Sequence, residues 1–115
     1  AEAETTLTNS VDEYLQKIKD RGDSWTQSDS AKNDRDKIFD EGSAATDKAD
    51  KAQAATLSEN GRVVNQKYEA EREKQDKTVQ DALQKADETG SKKDMKAYLK
   101  AVRDRQNLIN SRCYR

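Results

Sequence analysis

The chain has 115 residues, 39% of them charged and 31% hydrophobic, with a formal net charge of −1 and neither histidine nor proline. Without histidine there is no Ser-His-Asp or Cys-His nucleophile system, no HEXXH metalloprotease site and no histidine-containing zinc site. A single cysteine excludes an all-thiolate metal centre within one chain, and the four scattered glycines form no phosphate-cradling loop.

The large apolar residues are few: six Leu, three Ile, five Val and single Met, Phe and Trp. That is too little for a sizeable spherical core but enough for narrow apolar stripes on helices. Low hydrophobicity also suits a disordered chain. Apolar residues nevertheless recur every three or four positions and the net charge is small, which favours helices. The expected fold is all-α, a single domain over 1–115. It takes the form of an elongated antiparallel helical bundle or a coiled-coil hairpin of three to four helices.

The first helix is expected from about Ser10 to Asp20. Ser10 and Glu13 match an S-x-x-E capping box, Leu7 would staple the start, and Val11, Tyr14, Leu15 and Ile18 share one face. Glu13 and Lys17 are placed to pair at i, i+4, and Gly22 ends the helix. Asp23 to Asp29 reads as a connection, rich in residues that compete with helical backbone bonds. Its Trp25 either plugs the junction between two helices, the commoner arrangement, or stands exposed as a contact point.

A second helix is expected from Ser28 or Ser30, with Ile38, Ala45, Ala49 and Ala52 along one side and a kink position at Gly42. Alanines crowd 43–55, where they favour helix and allow a second helix to approach closely. The acid-rich run Asn33-Asp34-Arg35-Asp36 with Asp40 and Glu41 departs from the EF-hand pattern, and acids in a first helical turn suit the helix dipole. Asn60-Gly61 either reverses the chain or lies within one helix. Reversal is preferred, because a helix of some 60 residues would reach about 90 Å.

The next helix is expected over 62–87, with Val64, Tyr68, Gln75, Val79, Ala82, Leu83 and Ala86 inward and Thr89-Gly90 closing it. Ser91 caps the last helix, with Asp94 three residues on. Its stripe is Met95, Leu99, Val102, Gln106 and Ile109, with Tyr98 and Leu108 beside it.

Charge is uneven along the chain. Residues 1–90 hold 14 cationic and 21 anionic side chains, a net of −7; residues 91–115 hold 8 and 2, a net of +6. Lys92, Lys96, Lys100 and Arg103 form a basic ridge beside the last helix's stripe. Three explanations compete. The ridge pairs with the protein's own acidic faces, docks an acidic protein partner, or touches nucleic acid or an anionic surface through 91–115. The slightly acidic whole chain weighs against nucleic acid.

The function expected from these features is a non-enzymatic helical protein–protein interaction module without cofactor, metal or small-molecule substrate. The residues expected to meet a partner are Trp25, Lys92, Met95, Lys96, Leu99, Lys100, Val102, Arg103 and Ile109. Self-association as a homodimer is a further expectation, with Cys113 as the candidate for an intermolecular disulfide; its bland alternative is an ordinary small residue near a helix end. No segment approaches the roughly 20 apolar residues of a membrane-spanning helix. The start at Ala1-Glu2-Ala3-Glu4 without Met fits a mature end after signal-peptide removal, and fits a trimmed piece equally well. The compartment expected on that ground is periplasmic or secreted.

Overall fold

Apolar periodicity carries through into four helices. The computed structural model describes residues 2–60 and 66–112, with side chains described for 3–55 and 67–110. In chain order these are α1 (Glu2–Arg21), a 3-10 segment (Asp23–Gln27), α2 (Asp29–Asn60), α3 (Gln66–Thr89) and α4 (Lys92–Arg112). The fold is an all-α bundle, and no strand occurs among the described residues.

Helix α1 starts at Glu2, well before the Ser10–Glu13 box, which lies in its interior. The reason is Leu7, four residues before Val11 and seven before Tyr14 on the same face; all three are buried. Burying a leucine is worth about 1.5–3 kcal/mol, against about 1 kcal/mol for a cap. The longer helix therefore wins. Lys17 reaches across to Asp34 at 2.7 Å rather than along its own helix. Gly22, at φ +89°, closes α1 and directs its N–H to the Ile18 carbonyl at 2.8 Å. A non-glycine residue adopts that backbone conformation only with strain.

The 3-10 segment seats Trp25 at the junction, its ring centroid 5.2 Å from that of Tyr14. Lys17 and Arg21 lie 5.9 and 5.7 Å from the indole centroid. The Ser28 hydroxyl accepts the Ala31 N–H at 3.2 Å and caps α2.

Helix α2 passes through Gly42 without interruption. A Cβ at that position would lie 1.8 Å from the Tyr98 hydroxyl oxygen and 3.0 Å from Tyr98 Cζ. The Tyr98 ring is buried and packs edge-on against Phe39 at 5.1 Å, so it has little room to retreat. Gly42 is therefore the point of close approach between α2 and α4. In an exposed helix Gly→Ala stabilises by about 1 kcal/mol; here Gly42→Ala is expected to destabilise by about 1–3 kcal/mol through overpacking. Adding Tyr98→Phe, which removes the obstructing oxygen, should recover part of the loss in urea midpoints. A double variant no more stable than Gly42→Ala alone would refute the close approach.

The chain reverses between Asn60 and Gln66: Asp50 pairs with Arg72 at 3.2 Å and Gln53 Nε2 donates to the Tyr68 hydroxyl at 2.6 Å, an antiparallel register. Gly61 itself, and with it the proposed Asn60-Gly61 turn, lies outside the described residues, as does Val64. Further along the alanine-rich side of α2, Ala45 is buried and Ala49 half-buried. Ala52 is exposed, because the inward phase passes to Gln53. In α3, Tyr68, Val79 and Ala86 are buried and Gln75, Ala82 and Leu83 half-buried, matching the expected inward face.

Helix α3 ends at Gly90, φ +61°, whose N–H meets the Ala86 carbonyl at 2.7 Å. Ser91 caps α4, its hydroxyl accepting the Asp94 N–H at 3.2 Å. The Asp94 carboxylate accepts from the Thr89 hydroxyl. That bond first, with help from Ser91, Lys85 and Lys93, holds the Asp94 carboxyl below its ordinary range.

Successive helices run antiparallel, giving a bundle of 52 × 24 × 17 Å. α1 packs on α2 and α3 on α4, and the two hairpins join where α4 lies against α1 and α2. Two buried arginines tie these layers. Arg35 Nη1 donates to the Thr26 carbonyl at 2.6 Å and to the Tyr14 hydroxyl at 3.1 Å; Tyr14 in turn donates to the Gly90 carbonyl at 2.7 Å. Arg105 on α4 reaches Asp50 of α2 at 2.8 Å and Asp76 of α3. Burial opposes the Arg105 charge, but its bonds to Asp76 and Asp50 outweigh that cost and raise its pKa further.

Candidate interaction surface

Helix α4 divides its residues by face. Met95, Val102 and Ile109 are buried, and Leu99 is 8% exposed. Together with Gln106 they form the inward stripe, packed against the protein's own helices. In this folded form Met95, Val102, Gln106 and Ile109 are packed internally, while Leu99 keeps an edge on a groove between α1 and α4. Trp25, also 8% exposed, belongs to the α1–α2 junction and lies away from α4's outer face.

The face flanking this stripe is cationic. Lys92, Lys93, Lys96, Lys100 and Arg103 are exposed; the α4 carboxylates near them are Asp104, half-buried, and Asp94, buried and bonded to Thr89. Positions 92, 96, 100 and 103 repeat every three or four residues, so their side chains stand in one row along α4. Lys100 meets Asp104 at 2.9 Å, with side chains 76% and 43% exposed. Arg103 lies 4.0 Å from Glu4 and donates to the Thr8 hydroxyl at 3.1 Å. Such exposed pairs are worth about 0–1 kcal/mol and exchange readily with water or another carboxylate. Lys92 and Lys96 have no ion-pair partner among the described residues. The cations that do serve the protein's interior are elsewhere: Arg105 and Arg35 are each only a few per cent exposed and are bonded to other elements.

Beside this row runs an open groove of about 400 Å³ between α1 and α4. Leu15 and Leu99 give it an apolar floor, Lys96, Lys100 and Arg103 line the α4 side together with Asp104 and Asn107, and Asp12 stands on the α1 side. The four cations were visible in the sequence. The α1 contribution was not, because nothing local in the sequence pairs Leu15 with Leu99. The signal that could have found it is the shoulder position of Leu15 on α1, off the centre of the stripe through Val11, Tyr14 and Ile18.

The arrangement can attract and orient a negatively charged surface. Among the described residues no cluster of three or more Cys, Asp or Glu is placed to hold a metal ion. Likewise, no helix there is long and apolar enough to cross a membrane. Cys113 lies outside the described residues. Comparison with protein-family models, curated proteins and solved structures gave no significant match.

Proposed function

We propose that this chain is a non-enzymatic helical interaction module that docks an acidic protein partner on the basic face of α4. One observation carries the reading: a row of exposed cations stands on a helix whose apolar stripe is already consumed by the core. Charge complementarity steers encounter and fixes register, while like-charged surfaces are turned away. Binding to nucleic acid is the lesser reading, because the chain's net charge is −1 and residues 1–90 are strongly acidic.

The test is an NMR titration of the protein with poly-L-glutamate and, separately, with a short DNA duplex. Poly-L-glutamate is expected to shift resonances of Lys92, Lys96, Lys100 and Arg103, weakly and with loss at high salt. The Lys96→Glu, Lys100→Glu protein should lose that response. Tighter binding of the duplex to the same residues would transfer the face to nucleic acid. No response on α4 to poly-L-glutamate would sink the proposal.

A further inference from the structure

We infer that the α1–α4 groove receives an acidic amphipathic helix carrying one apolar anchor, with carboxylates one turn to either side of it. The inference rests on the reading that the basic face binds an acidic protein, and it narrows that partner to one shape.

Backbone groups set the first requirement. Both walls of the groove are helices, whose N–H and C=O groups bond internally. A polypeptide lying there finds no strand edge to pair with, so strand addition is closed to it, and a helix, which bonds its own backbone, suits a groove between two helices. The floor sets the second requirement. Leu15 is half-buried and Leu99 nearly buried, and they make one apolar spot rather than a continuous strip. That spot accommodates one large apolar side chain.

The cations set the third requirement. Lys96 lies one turn before Leu99 along α4, and Lys100 and Arg103 lie within the turn after it. From Lys96 to Arg103 the rise is about 10 Å, two helical turns. A helix laid alongside presents carboxylates three or four residues before and after its anchor at the same spacing. Asp12 sets the fourth. It stands on the α1 side of the groove and repels an occupant that is acidic all round. The α4 wall also carries Asp104, paired with Lys100, but Lys96, Lys100 and Arg103 outnumber it, so the acids face α4 and the occupant is amphipathic.

The experiment uses three synthetic peptides of equal charge against the full chain, followed by calorimetry and by the methyl resonances of Leu15 and Leu99. The first is an alanine-based helix with one leucine flanked by glutamates at three or four residues on each side. The second replaces that leucine by serine. The third keeps the first peptide's charges and leucine but carries two central prolines that prevent a helix. The first should bind roughly tenfold or more tighter than either control, as expected for burying one leucine, and should move both leucine methyls. Asp12 is exposed and outside the core, so Asp12→Lys serves as the variant: it should raise affinity for a fourth peptide, which carries glutamates on both faces. Equal binding of all three peptides, with shifts at the lysines alone, would overturn the helical occupant and leave the acidic-partner reading standing. If neither these peptides nor poly-L-glutamate bind, both readings fail together.

Discussion

Arg35→Met is expected to destabilise the fold by about 3 kcal/mol. The methionine keeps most of the apolar stem but removes a guanidinium that is 6% exposed and bonded on two sides. Its loss strands the Thr26 carbonyl, which is buried at the junction, and a buried unsatisfied group costs about 1–3 kcal/mol. The charge-assisted bond itself adds about 1.5–3 kcal/mol. Asp87, 3.8 Å away and 46% exposed, rehydrates and contributes little to the loss. The damage would spread beyond α2, because the same guanidinium positions the Tyr14 hydroxyl that bonds the Gly90 carbonyl. Loss of Arg35 therefore loosens the 3-10 segment, α1 and the α3–α4 turn together. A urea midpoint shifted down at unchanged slope is the expected result. An unchanged midpoint would mean that apolar packing alone holds the junction.

Met95→Ala is expected to cost about 2–5 kcal/mol, the range for truncating a large buried side chain. Met95 is fully buried in a narrow core, within the cluster that also includes Val11, Tyr14 and Leu99. Few large apolar residues are available to close over the space, so relaxation should be limited and the cost should fall toward the upper half of that range. The loss should appear as a lower urea midpoint and melting temperature for the whole bundle. A shift below about 0.5 kcal/mol, the scale of ordinary surface changes, would remove α4's stripe from the core.

Much of this architecture was legible from local spacing. The stripe Met95, Leu99, Val102, Gln106 and Ile109 is buried as its period required, and Gly22, Gly90 and Ser91 end or begin helices for the conformational and capping reasons that favour those residues. The start of α1 was obscured by competing local signals. Ser10 and Glu13 resemble a cap, while Leu7 extends the apolar face, and only tertiary burial of Leu7 decides between them. The buried arginines were hidden for a different reason. Arginine is normally exposed, and the groups that compensate Arg35 and Arg105 come from other helices. Their one local clue is phase: Arg35 lies four residues after Ala31 and three before Ile38, on the inward face. Of the candidate surface, the basic row was legible as charge asymmetry. The groove beside it needed the pairing of α1 with α4, which only the fold supplies.

The two faces of α4 divide the work as proposed: the apolar side holds the bundle together, and the cationic side, with only exposed ion pairs, serves recognition without carrying stability. The direct measurement is the folding stability of the Lys96→Glu, Lys100→Glu protein by urea denaturation, beside Met95→Ala under the same conditions. The charge reversal is expected to change stability by at most about 1 kcal/mol, consistent with exposed ion pairs, and Met95→Ala by several-fold more. A loss from the charge reversal as large as that from Met95→Ala would show that the basic row neutralises the protein's own acidic helices, contradicting the account.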